Sequence, residues 1–247
     1  MEVHHHGHVH HDSLWKQYLS QFLMLFLAVF CGSLAEYYLD HNLEKEKEEQ
    51  YAHSMIQDLD LDLINIKRDI TETSARIKSI DSLTADLSSA NYQDKLGDIY
   101  YRARKLSVLN YYCSMTDGTL MELKNSGNLR LIKSVAMVDS IQTYYNVYQQ
   151  YEDAQEFSIK ELSDYRQEMI KVFDIKVFNQ MIKNFPKITK PEGNPPLFNS
   201  NPEQINTLLM HAQFCKTTSL TNLNFLIRLQ NSAILLKKSI QKEYIED

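Results

Sequence analysis

Nineteen consecutive positions, residues 17–35, carry no formal charge, and within them Phe22–Ala35 (FLMLFLAVFCGSLA) is almost wholly apolar. A bilayer hydrocarbon core about 30 Å thick takes about 20 helical residues at about 1.5 Å each. Residues 17–38 meet that length. Trp15 and Tyr18 flank the run on one side, Tyr37 and Tyr38 on the other. Amphipathic rings prefer the headgroup level, so the two pairs read as interface belts. Lys16 and Glu36 mark where charge becomes tolerable. The competing readings are a buried core helix and a cleaved signal peptide. The following EYYLDHNLEKEKEE offers no small-x-small cleavage site. The expectation is a single span, with the lipid bilayer as the first partner. Ala28 and Gly32, four residues apart, give the span a small face on which two helix backbones can pack closely. Cys31 serves there as a small apolar filler.

Behind the span, glycine and proline are scarce. All five prolines (Pro186, Pro191, Pro195, Pro196 and Pro202) fall in one window near the carboxyl end, and the chain has six glycines. These two residues are the main punctuators of chain structure, so their near-absence predicts long uninterrupted helices and an all-α fold. The balance of 26 basic and 32 acidic residues, net −6, shows no basic stripe and argues against nucleic acid as a partner. Cys31, Cys113 and Cys215 lie far apart and form no CxxC, which supports neither a zinc site nor a disulfide framework. Spacing leaves open whether Cys113 and Cys215 pair.

The organisation reads as a His-rich tail over 1–13, a transmembrane helix over 14–38, a coiled-coil-like stalk over 39–90 and an antiparallel helical bundle over 91–247. In the stalk, Ile56, Leu59, Leu63, Ile66, Ile70, Thr73, Ile77, Ile80, Thr84 and Leu87 follow steps of three and four. A sustained 3.5 period fits a supercoiled seam, either on another copy or inside the same domain. Ser88–Asn91 reads as a break, followed by a helix from about Gln93 to Tyr112. In MTDGTLMELKNSGNLRLIK, Thr116 or Asp117 can cap a short helix, Gly127 can end it, and Asn128 can cap the next. A long helix then runs from Leu129 or Ser134 to Phe173. It carries Val138, Ile141, Tyr145, Tyr148, Ile159, Leu162 and Met169, with Glu152 and Gln155 interrupting. Residues 185–202 are a proline-rich loop, either mobile or covering a surface. Asn201-Pro202-Glu203-Gln204 opens the last helix, whose expected buried face is Leu208, Ala212, Cys215, Leu223, Leu226, Ile227, Ile234 and Ile240.

The turn Glu122-Leu123-Lys124-Asn125-Ser126-Gly127-Asn128-Leu129-Arg130-Leu131-Ile132, with Tyr144-Tyr145 downstream and the Phe26-Leu27-Ala28-Val29 to Glu36 exit, resembles a family of uncharacterised bacterial single-span membrane proteins. Its motif is an ELKxSGxLxLI turn, here carried by Leu123, Ser126, Gly127, Leu129 and Ile132. The resemblance implies an inner-membrane anchor, a cytoplasmic amino terminus and a periplasmic helical domain, with no activity attached. The chain departs from the family at the front, where a histidine tract replaces a basic tail. Charge near the span gives almost a tie in the positive-inside count.

Six of nine histidines (His4, His5, His6, His8, His10 and His11) fall in MEVHHHGHVHH. Imidazole is a good ligand for Zn, Cu or Ni; the competing readings of the tract are a lipid-facing tail and an expression tag. His41, His53 and His211 are isolated and read as surface or satisfied groups. Asp58 and Asp62 read as acids on a solvated face. No HExxH, P-loop, GxSxG, GxGxxG or CxxC occurs, so no catalytic residue and no bound cofactor is expected and the chain reads as a non-enzyme. The leading expectation is a membrane-anchored helical scaffold or adaptor, a homo-oligomer through span and stalk, with a protein partner. The alternatives are a metal-binding or metal-sensing protein using the tail, and a ligand-sensing helical domain. The last would need a polar-lined cavity among the tyrosine-bearing helices.

Overall fold

The computed structural model describes residues 11–108, 114–182 and 187–245. The chain is all-α, with no strand among the described residues. Six α-helices follow in order: α1 (His11–Leu87), α2 (Leu96–Leu106), α3 (Gly118–Asn125), α4 (Val135–Val172), α5 (Ile175–Gln180) and α6 (Pro202–Tyr244). Short 3₁₀ turns precede α2 (Tyr92–Lys95) and follow α3 (Asn128–Leu131). The chain divides into two compact units, Met1–Tyr51 and Ala52–Asp247.

Among the described residues, the first unit contains the one helical stretch long and apolar enough to cross a membrane. Its most apolar 18-residue window has a mean hydropathy of 1.8, and none of that window is buried by the chain itself. A core helix of a soluble protein would be covered. Phe22, Phe26 and Phe30 stack along one side, ring to ring at 6.3 and 6.0 Å. At 100° per residue Ala28 and Gly32 face the other way, and a Cβ placed on Gly32 would meet nothing within 4 Å.

The second unit is organised by three buried stripes, each 36 residues long: Ala52 to Leu87 on α1, Met137 to Val172 on α4, and Ile205 to Ile240 on α6. Each covers about 53 Å of helix at about 1.5 Å per residue. Along every stripe the inward residues alternate in steps of three and four. On α6 these are Ile205, Leu208, Ala212, Cys215, Ser219, Asn222, Leu226, Leu229, Ala233, Leu236 and Ile240, all buried. Surface pairs fix the directions. Asp60, Asp81 and Thr84 of α1 meet Lys237, Lys216 and Gln213 of α6, so the numbering falls on one helix as it rises on the other. Ser158 bonds Asn222 and Ala136 shares a groove with Ser239, so α4 and α6 are antiparallel as well. These exposed ion pairs set register more than they add stability.

The observed seam differs in register from the apolar pattern. Leu59, Ile66, Ile80 and Leu87 lie on it, but Ile56, Leu63, Ile70, Ile77 and Thr84 only flank it, half-buried. The second row is Met55, Asp62, Asp69, Arg76 and Leu83, with Asp62 and Asp69 buried and Arg76 half-buried. Residues 52–87, placed with a stalk by the pattern, therefore belong to the compact unit that contains the bundle. On α6, Leu208, Ala212, Cys215, Leu226 and Ile240 of the expected face are buried, whereas Leu223 is half-buried and Ile227 and Ile234 are exposed, because between Cys215 and Leu226 the true stripe runs through Ser219 and Asn222. On α4, Ile159 is likewise exposed.

Helix α2 stops at Leu106, short of Tyr112. Its last carbonyls are taken by neighbours: Tyr165 donates to Ala103 O at 3.4 Å, Arg166 to Ser107 O at 2.7 Å and Arg76 to Val108 O at 3.4 Å. Tyr111, Tyr112 and Cys113 lie outside the described residues, as do residues 183–186, which include the first two positions of the proline-rich segment. The remainder of that segment covers α2. Asn194 accepts from Gly97 N at 3.0 Å and donates to Asp94 O at 2.8 Å, and Tyr100 donates to Pro196 O at 2.9 Å. A Cβ on Gly97 would lie 2.4 Å from Gly193 O, so only glycine allows that approach. Asn201 caps α6 by accepting from Glu203 N at 2.9 Å, with Pro202 in the first turn.

Ile66→Ala should cost about 2–5 kcal/mol, since Ile66 is 0% exposed at the centre of the seam. Ile64→Ala, two residues away at 67% exposure, should change stability by less than about 0.5 kcal/mol. Denaturant unfolding of both variants in mild detergent measures the contrast, and equal losses would contradict the register.

Candidate functional site: a polar layer in the bundle

Midway along the seams the inward residues turn polar on all three helices at once. Asp69, Thr73 and Arg76 come from α1, Tyr151, Gln155 and Ser158 from α4, and Cys215, Ser219 and Asn222 from α6. They surround a cavity of about 30 Å³. A water needs about 10–15 Å³ and two to four polar partners, so the space suits one or two water-sized groups. Asn222 donates to Ser158 Oγ at 2.7 Å, and Ser219 donates to Cys215 O at 2.7 Å. Arg68 donates to Asp69 Oδ1 at 3.1 Å. Two buried acceptors have no hydrogen-bond partner among the described residues, Gln155 Oε1 and Asn222 Oδ1. Their side chains belong to residues only 7% and 6% exposed. An orphan acceptor of this kind costs about 1–3 kcal/mol, a cost removed when a donor enters.

Electrostatics differ across the layer. Burial pushes the Cys215 thiol up to about 11, with Arg76 opposing and the carboxylates of Glu161 and Asp164 adding to it. Burial likewise holds the Tyr165 hydroxyl above its ordinary value, and Cys215 adds to that. Both groups stay neutral at physiological pH, so neither is a ready nucleophile.

A second polar constellation holds α3 against α1. Asp62, 1% exposed, accepts from Thr116 N at 2.7 Å through one oxygen and from Tyr144 Oη at 2.7 Å through the other. Asp58 accepts from Thr119 N at 3.2 Å. The amino end of α3 is thus capped from another helix. Neither Thr116 nor Asp117 makes the expected local cap, and Asp117 shows no side-chain cap bond. Asp62 is correspondingly not a solvated acid, because both of its oxygens accept from buried donors. Lys124 lies 3.6 Å from the centre of the Tyr145 ring. Leu123 is fully buried, Ser126 donates to Glu122 O, and Gly127 sits at φ 69°, the left-handed region that favours glycine. Leu129 and Ile132 are half-buried. Asn128 opens the 3₁₀ turn behind Gly127, and Ser134 caps α4 by accepting from Met137 N at 3.3 Å.

The other sequence-derived candidates separate. His4, His5, His6, His8 and His10 lie outside the described residues, as does the side chain of His11, whose backbone begins α1. Trp15, Tyr18, Tyr37 and Tyr38 are exposed at the two ends of the apolar stretch, and Tyr37 stacks on His41. Cys31 and Cys215 are free thiols. His211, expected as a surface or satisfied group, is half-buried and its Nδ1 has no hydrogen-bond partner among the described residues. Of the polar layer, only Thr73 and Cys215 fall on the faces that apolar periodicity marks. The signal was present as uninterrupted steps of three and four that continue through polar side chains. Comparison with protein-family models, curated proteins and solved structures gives no match.

Asp62→Asn should destabilise the bundle by about 1–3 kcal/mol, and a double-mutant cycle with Tyr144→Phe should show coupling of about 1–2 kcal/mol. Additive losses would mean the pair is not bonded. Alkaline stability follows first from Cys215, whose contribution is whole below the ordinary thiol value of 9.0 and is lost as pH rises through about 11. Tyr165 starts from an ordinary value of 10.0 and loses its share at higher pH. Urea midpoints at pH 8, 9.5 and 11 should therefore fall, and Cys215→Ala should make the fall shallower.

Proposed function

We propose that this chain is a membrane-anchored, non-catalytic helical protein whose bundle binds a small donor-bearing ligand in the polar layer. One observation carries the reading: two buried, orphaned amide oxygens, Gln155 Oε1 and Asn222 Oδ1, belong to residues lining one cavity midway along the seams. An apolar layer of similar volume would hold three helices together at least as well. Two orphaned acceptors call for a donor, which favours an ammonium or amide group over a carboxylate. The span of α1 serves as the anchor. The ELKxSGxLxLI turn supports membership of the bacterial single-span family, and with it an inner-membrane location and a bundle in the periplasm.

The scaffold or adaptor reading shares the same anchor. The buried stripe of residues 52–87 is satisfied within one chain, which supports an intramolecular role for the seam. Self-association then rests on the Ala28–Gly32 face of the span.

Thermal unfolding of the full chain in mild detergent, with EDTA present, against a panel of small amines, amides and carboxylates tests the binding reading. An amine or amide should raise the midpoint of the natural protein and leave a Gln155→Leu/Asn222→Leu variant unchanged. No shift with any member of the panel, or equal shifts in both proteins, would overturn it. A reporter fused after Asp247 tests the topology, with a periplasmic signal expected.

A further inference from the structure

We propose that Glu161, Asp164 and His211 form a divalent transition-metal site between α4 and α6, of the class that takes Zn²⁺. The inference is independent of the polar-layer ligand and of the histidine tail.

Glu161 and Asp164 are three apart on α4 and so share a face. His211 comes from the antiparallel α6. One donor atom from each lies within 4.8 Å of the others, and all three residues are half-buried. The second, separate observation is His211 Nδ1, a buried ring nitrogen with no hydrogen-bond partner. No hydrogen bond or ion pair joins the imidazole to either carboxylate among the described residues, and no lysine or arginine pairs with these two acids there. Two carboxylates held this close repel, and a buried ring nitrogen without a partner is costly. One divalent cation offsets the repulsion, and bound through Nδ1 it also gives that nitrogen a partner.

The donor set selects the ion. Imidazole with two carboxylates suits Zn²⁺ and its first-row neighbours better than Mg²⁺ or Ca²⁺, which prefer all-oxygen ligands. Donors 2.0–2.2 Å from a tetrahedral ion stand roughly 3.3–3.6 Å apart, so closure asks for about 1 Å of side-chain movement. Carboxylates on half-exposed helix faces can supply that by rotation. Three protein ligands leave a fourth position for water. Phe214 packs edge-on against the His211 ring at 5.9 Å and restricts its orientation. The helices bridged are two of the three that build the bundle, so metal binding would clamp α4 to α6.

The test uses the full chain in detergent with His4, His5, His6, His8, His10 and His11 replaced by Gln, so that the tail contributes nothing. Titration with Co²⁺ should give one equivalent of binding with a visible d–d band, and excess Zn²⁺ should raise the unfolding midpoint and abolish the band. His211→Gln and the isosteric Glu161→Gln should each weaken binding at least about tenfold while far-UV circular dichroism stays unchanged. Absence of Co²⁺ binding by the folded, tail-substituted chain would overturn the proposal. So would undiminished binding in both variants. The amine and amide panel, run with EDTA, reports on the polar layer alone, so either proposal can fail without the other.

Discussion

Side chains at alternating steps of three and four on α1, α4 and α6 leave water only by packing against one another, and the architecture of the second unit follows from that constraint. The three stripes have equal length, 36 residues on each helix. Burial of this kind is proportional to area and indifferent to direction. Direction comes from polar groups instead. Asp60–Lys237, Asp81–Lys216 and Thr84–Gln213 line up only when α1 and α6 run opposite ways.

Within that packed frame, each polar group on the seam bears on specificity. Asp62 gives up hydration and recovers it through two good donors, Thr116 N and Tyr144 Oη. The arrangement ties a short helix, α3, whose eight residues could not hold a helical conformation alone. The polar layer is different in kind. There the recovery is incomplete, with two amide oxygens lacking donors. A buried network that is only partly satisfied is where a fold is most responsive to an added group, and this supports a binding role for that layer.

Parts of this were legible in the residues. Scarce glycine and proline announce long helices, and Asn201-Pro202 marks the start of α6. Gly127 marks the left-handed turn at the end of α3. The α1 seam was visible through Leu59, Ile66, Ile80 and Leu87, but following only apolar residues drew in Ile56, Leu63, Ile70 and Ile77, which flank it. Asp69, Gln155 and Asn222 were hidden because polar side chains at core positions look like solvated ones until partner helices are placed. The Glu161–Asp164–His211 cluster was hidden for a simpler reason. Forty-seven residues of chain separate Asp164 from His211, and no local spacing links them.

The amino-acid sequence by itself determined the apolar, uncharged run near the amino terminus, the helical class and the helix punctuation, since each depends on hydropathy or backbone preference over a few neighbouring residues. Tertiary structure alone decided which face of each helix turns inward, that Asp58 and Asp62 serve another helix's amino end, and that polar residues from three helices meet at one level. Those outcomes depend on the register between segments far apart in the chain. Register is fixed only when all three seams close together.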